Sequence, residues 1–340
     1  MGNNLSTPKS GMLNVKQVNE LMANMVTEPD PQPLCDSLWF EGEVACLFAD
    51  SNVGKSIFAV QMAEQISQKR PVLYVDCELT DKQFQLRYSN TEDGVYHTFP
   101  KAFYRATIAP ERIGSGNFED NLLKDIELAA SEHECRVIII DNLTYVCNTS
   151  EKGDAAGAFM MNLKRLQMKY GWSILIIAHT PKRDDSSAIT INHLAGSRKL
   201  FNFFDSVFAL GKSKQDDNYR YLKQLKVRSG EFVYTDENVA VFELEKVEDG
   251  GLHFTFRKNC EEEAQLSPFR PDDIEIAREV VKLHEEGLSY REVGKKLDIS
   301  KSRAQRIYRK FRDKVASEEE FKDAALEFEQ ECPNGPEYMS

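Results

Sequence analysis

Gly54, Lys55 and Ser56 close the stretch "FADSNVGKS", which runs from Phe48 to Ser56. A glycine that admits close backbone approach, a compact positive charge and a small hydroxyl can together hold a polyphosphate. In such a loop the backbone N–H groups of Ala49, Asp50, Ser51, Asn52, Val53, Gly54, Lys55 and Ser56 face phosphate oxygens. Lys55 would neutralise the β- and γ-phosphates of ATP, and the Ser56 hydroxyl would ligate Mg2+. The usual spacing, G-x-x-x-x-G-K-[ST], has a glycine where this chain has Ala49. A methyl group is tolerable there if the backbone angle stays negative. The spacing becomes a site only with a strand before it and a helix after it, and "EVACLF" and "SIFAVQMAEQIS" supply both patterns.

Three further residues stand at the ends of apolar runs. Asp141 closes "RVIIID", where a carboxylate can hold the water shell of a magnesium ion or, equally, cap the following loop. Glu78 follows "VLYVDC", the run after the loop helix, and can orient an attacking water as a general base. Asp76 lies two residues earlier on the same face, and the pattern does not separate the two. His179 ends "SILIIAH" at the edge where phosphates would lie.

The elements that must position these residues are legible as alternation. Between residues 43 and 215, five near-continuous apolar runs (43–50, 72–79, 136–143, 173–180 and 206–213) alternate with segments of helical spacing. Such runs predict parallel strands buried on both faces. After residue 215, "YRYLKQLKVR", "NVAVFELEKV" and "GLHFTFRK" predict an antiparallel extension, with a turn at Asp249-Gly250-Gly251. "NCEEEAQLSPFRPDD" reads as a linker.

Residues 273–314 divide into three helices. Ile274, Ala277, Val281 and Leu283 mark the core face of the first, and Gly287 ends it. Ser289 and Glu292 form a capping box for the second, and Ser300 caps the third. Val293, Leu297, Ile299, Ala304, Ile307 and Phe311 would complete a helix-turn-helix core, with Gly294 allowing close helix approach. Asp298 occupies the turn where glycine is common. The third helix would expose Lys301, Ser302, Arg303, Gln305, Arg306 and Arg309, groups suited to base edges and phosphates of DNA. A small bundle with a solvated basic face, or a protein-docking module, is the other reading.

Composition bounds these readings. The 340 residues are 41% hydrophobic and 29% charged, and no run of eighteen apolar residues occurs to span a bilayer. Seven scattered cysteines without a C-x-x-C pair disfavour a disulfide framework or zinc site, and the expected location is the cytoplasm. The net charge of −12 excludes a surface basic all over, yet Lys295–Lys314 carries nine Lys or Arg against two Asp.

Taken together, the loop, the strand-end carboxylates and His179 resemble the RecA-like branch of P-loop ATPases, particularly the plasmid RepA-type hexameric helicase group, over roughly residues 35–260. The resemblance implies Glu78 as the catalytic carboxylate and His179 as the γ-phosphate sensor. It further implies that Lys226 and Arg228 of "QLKVRSGE", matching a K-x-R motif, reach a neighbouring subunit's nucleotide. A solvated strand edge is the alternative for that pair. Also implied are ATP and Mg2+ as cofactors, DNA as partner, a homo-oligomeric ring, expected to be a hexamer, and DNA-contact loops in "NTSEKGDAAG" and "KRDDSSAITINHLAGSRK".

The expected fold is α/β, a RecA-like core with an antiparallel extension, plus a small all-α helix-turn-helix domain. The expected organisation is a flexible segment (1–30), ATPase domain (31–260), linker (261–272), DNA-binding domain (273–315) and acidic tail (316–340). The function expected is an oligomeric, ATP-hydrolysing, DNA-binding ATPase like the replicative helicases of plasmids and mobile elements. The alternative is an ATP-controlled DNA-binding regulator or recruiter without helicase activity.

Overall fold

Aliphatic runs that cannot face water on either side build the centre of one nine-stranded sheet. Its strands are β1 (Val44–Ala49), β2 (Val72–Asp76), β3 (Phe103–Thr107), β4 (Val137–Asp141), β5 (Ser173–His179), β6 (Ser206–Lys212), β7 (Tyr219–Lys226), β8 (Val239–Lys246) and β9 (Leu252–Cys260). The spatial order is β3-β2-β4-β5-β1-β6-β7-β8-β9. Strands β1 to β6 are parallel to their neighbours among themselves, and β7, β8 and β9 each run antiparallel to the strand before. This is the RecA-like arrangement with its antiparallel extension. The molecule is a computed structural model that describes residues 13–90, 94–109, 111, 117–142, 154–180, 187–194, 198–247, 250–266 and 271–312.

Two cores cover the sheet. Val44, Cys46 and Phe48 face one layer, built with α4 (Phe118–Glu132) and α5 (Asp154–Tyr170). Ala45, Leu47 and Ala49 face the other, built with α2 (Lys55–Ser67). Period-2 alternation in a strand buried on both sides explains why β1 reads as an unbroken apolar run. β3 departs from the five expected parallel strands. It lies at the sheet edge, is only half-buried and carries Arg105, so it has no apolar run to betray it.

The segment Met1–Gln32 forms a unit of its own, in which α1 (Val18–Met25) buries none of its residues. Within Pro33–Ser340, α3 (Asp81–Arg87) follows β2, and the short α6 (Arg198–Phe201) precedes β6. The stretch after β9 is packed at its start. Glu262 is buried, pairs with Lys223 and accepts the Ile189 N–H at 2.7 Å; Gln265, in α7 (Glu263–Leu266), accepts from the Lys214 N–H at 2.8 Å.

Helices α8 (Pro271–Glu285), α9 (Tyr290–Lys296) and α10 (Lys301–Phe311) enclose a third core of Ala277, Val280, Val281, Leu283, Val293, Ala304, Ile307 and Phe311. Ser289 and Glu292 form the reciprocal capping box, and the Ser300 hydroxyl accepts the Arg303 N–H at 3.1 Å. Asp298 takes φ 53°, a left-handed turn that Asp tolerates better than most residues. A Cβ on Gly294 would stand 2.6 Å from the Ile299 carbonyl oxygen, so the turn closes only on glycine. The expected DNA-contact loops fall largely outside the described residues, including Lys182 and Arg183 and the side chains of Arg198 and Lys199. The Ile274 side chain, Asp249 and the acidic tail fall outside them too.

Candidate nucleotide-binding site

β1 delivers the chain to a tight loop at its C-terminal end, and α2 leaves that loop at Lys55. Ala49 is buried in the strand, and its φ is not positive, which is why a methyl group fits where the usual spacing has glycine. Asn52 and Gly54 do adopt positive φ, at 63° and 106°. A Cβ on Gly54 would also lie 2.9 Å from the Phe254 ring, so this position requires glycine twice over. No side chain caps the start of α2, leaving its first N–H groups and its positive dipole end to an anion.

The Lys55 ammonium donates to the Ala49 and Asp50 carbonyls at 2.9 and 2.8 Å. Burial lowers its pKa to about 8, against the pull of Asp141, Glu78 and Asp50. Ser56 donates its hydroxyl to Asp141, which is 3% exposed and also accepts the Tyr74 hydroxyl at 2.7 Å. Burial raises the Asp141 pKa while these two hydrogen bonds oppose the rise. A hydroxyl and a carboxylate side by side are hard oxygen ligands, the donor set that suits Mg2+.

The geometry separates Asp76 from Glu78. One Asp76 oxygen accepts the N–H groups of Glu78 and Leu79 at 3.0 and 2.9 Å; the other accepts Arg105 Nε and Nη2 at 3.0 and 2.8 Å. All four acceptor positions of that carboxylate are filled. Glu78 is half-exposed beyond the end of β2, with His179 Nε2 at 3.5 Å. Hydrogen bonding to His179 leads the causes that lower the Glu78 pKa, so it stays ionised.

Asn142 was not singled out from the sequence. It is buried, and its amide donates to Glu78 Oε1 and lies 2.9 Å from His179 Nε2. Nε2 thus lies between the Asn142 amide and the Glu78 carboxylate, and Nδ1 of the same ring is buried without a partner among the described residues. The only sequence signal for Asn142 is its place beside Asp141 at a strand end. Lys55, Ser56, Glu78, Asp141, Asn142 and His179 thus meet at the C-terminal ends of β1, β2, β4 and β5, where open α/β sheets hold ligands.

Residues 13–185 match the AAA domain family. The chain belongs to that family. Residues 272–317 match the Homeodomain-like domain family, in agreement with the helix-turn-helix. A KaiC-like protein from the hyperthermophilic archaeon Pyrococcus horikoshii is similar in structure, with 14% identity and a TM-score of 0.47 over 64% of this chain and 90% of that one. No curated protein matches the sequence. Among the described residues no helix is long and apolar enough to cross a membrane.

Lys226 and Arg228 do not join the site of the AAA domain. Arg228 pairs with Asp205 at 2.6 Å, and Asp205 accepts the Val44 N–H at 2.9 Å, at the opposite end of β1 from the loop. At about 3.3 Å per residue, β1 sets them roughly 17 Å from the loop of their own chain. Lys226 donates to the Phe201 carbonyl at 3.3 Å, with its ammonium 5.0 Å from the Phe201 ring centroid. Burial, then Arg228, lowers its pKa.

On α10, Lys301, Ser302 and Arg309 are exposed, while Arg303 and Gln305 are partly covered. Arg306 departs from the expectation of an exposed side chain. It donates to the Gln215 carbonyl at 2.8 Å, between β6 and β7, and its Nε is buried without a partner among the described residues.

Proposed function

We propose that this protein is an oligomeric ATPase that binds and hydrolyses ATP with Mg2+ and works on DNA, in the manner of RepA-type replicative helicases. The observation that carries the nucleotide chemistry is the convergence of Lys55, Ser56, Asp141, Glu78 and His179 on one sheet edge, with Asp76 fully engaged elsewhere. Lys55 and the uncapped start of α2 bind the phosphates. Ser56 and Asp141 would hold Mg2+, which would supply charge neutralisation to the bound polyphosphate. Glu78, kept ionised chiefly by His179 and oriented by Asn142, accepts a proton from the attacking water. His179 faces the γ-phosphate side of the same cluster.

The Lys226 and Arg228 positions support action in trans. They stand too far from their own loop, and Arg228, 63% exposed, can extend toward a second chain. Hydrolysis on this reading needs an assembled ring, and the exposed basic residues of α10 provide a DNA face. A regulator or recruiter without helicase activity shares the same two domains and differs in what ATP drives.

ATPase turnover with and without DNA, measured beside the assembly mass and unwinding of a forked duplex, tests the reading. DNA-stimulated turnover by an oligomer that unwinds the fork supports it. Sequence-specific DNA protection without unwinding selects the regulator, and absence of turnover removes the enzyme.

A further inference from the structure

Behind the nucleotide loop lies a buried cation that the proposed chemistry does not use. Arg220, near the start of β7, is 7% exposed. Its Nε donates to the Val53 carbonyl at 2.8 Å, and its Nη1 donates to the Asp217 and Tyr219 carbonyls at 2.7 and 2.8 Å. Its nearest acidic neighbours are occupied elsewhere. Asp217 pairs with Lys212 at 3.3 Å, and Asp216 accepts the Asn218 N–H at 2.9 Å. Among the described residues the hydrogen-bond partners of Arg220 are carbonyls alone, an arrangement costly to bury, and one of them belongs to the proposed phosphate loop.

The peptide geometry shows what the contact does. The Val53–Gly54 peptide is trans, so its carbonyl and N–H point in opposite directions. Holding the carbonyl against β7 turns the Gly54 N–H away from β7. The Phe254 ring of β9 packs where a Gly54 Cβ would be.

We propose that Arg220 is a positioning residue for the nucleotide: it pins the Val53 carbonyl outward so that the Gly54 N–H faces the phosphates, and its charge adds to their field. The proposal rests on the nucleotide reading of the Lys55 loop. A simple strut between β7 and the loop would stabilise the fold and leave binding untouched.

The test uses the full chain. Kd for ATP and ADP, KM, kcat and Tm are measured for wild type, Arg220→Gln and Arg220→Lys. Arg220→Gln is expected to weaken ATP and ADP about tenfold and raise KM about tenfold, with kcat within about twofold, because the Gly54 N–H is no longer held toward the phosphates in ground and transition states alike. Arg220→Lys, which keeps charge and one donor, restores affinity to within about threefold although its Tm stays below wild type. Should Arg220→Gln not fold, Arg220→Met keeps the packed stem and brings no polar group of its own into the buried position, and the same tenfold loss is expected. Wild-type affinity in Arg220→Gln or Arg220→Met with only a lowered Tm overturns the proposal, as does failure of Arg220→Lys to recover affinity. A wild type that binds neither ATP nor ADP overturns the nucleotide site itself, and the positioning role with it.

Discussion

The buried Lys55 ammonium predicts that nucleotide binding is pH-sensitive above neutrality. In the free chain Lys55 is 6% exposed, two carbonyls hold its ammonium, and burial brings its pKa from 10.5 to about 8. Phosphate oxygens at the ammonium favour the charged form and return the pKa toward its ordinary value. The free-state pKa is the depressed one, so binding takes up a proton at pH values above about 8. Affinity is therefore full below that pH and is lost as pH rises through it. Between pH 7 and pH 9 the Kd for a non-hydrolysable ATP analogue should rise about tenfold, with uptake of about 0.9 proton per site at pH 9. Titration calorimetry in two buffers of different ionisation enthalpy reads both quantities. Lys55→Arg, whose charge persists through this range, should flatten the profile. A wild-type Kd constant from pH 7 to 9 with no proton uptake refutes the buried-ammonium account.

Glu78→Gln should keep ATP binding and lower hydrolysis at least a hundredfold, read in single turnover, whereas Asp76→Asn should lower Tm by disturbing the Arg105 pair and two backbone contacts. Arg228→Ala should leave ATP affinity and Tm near wild type and cut turnover a thousandfold or more (order of magnitude for an arginine finger). Mixing it with Lys55→Ala chains should recover part of the activity if the site spans two chains. Gly294→Ala should destabilise the helical domain by about 1–3 kcal/mol, because its methyl group meets the Ile299 carbonyl, and circular dichroism at elevated temperature would show it.

The parallel strands were legible because each is buried on both faces, and continuous aliphatic runs have few other uses in a chain of this length. β3 was not, since an edge strand bearing Arg105 lacks that signature. Capping residues announced α9 and α10 correctly because Ser289 and Ser300 do local chemistry that tertiary context does not override. The choice between Asp76 and Glu78 lay beyond pattern. Both share a face in the pattern, and what separates them are contacts it does not encode: Arg105 and two backbone N–H groups fill the Asp76 carboxylate, while Asn142 and His179 meet Glu78. Asn142 and Arg220 were missed for a related reason. Their roles arise from contacts to residues 37 to 167 positions away, which no local spacing encodes.

The three cores differ in how they share walls. The two layers on either side of the sheet are built from the same strands, with alternate residues of β1 in each, so neither can loosen without stripping the other. The helix-turn-helix core has no member in common with them. Cooperativity follows shared burial, and a three-helix core of this size buries proportionately less surface than the sheet. Heating should therefore silence the DNA-binding face first, leaving nucleotide occupancy intact over an interval of temperature. Within that interval ATP binding is uncoupled from DNA, in a chain whose sequence is unaltered.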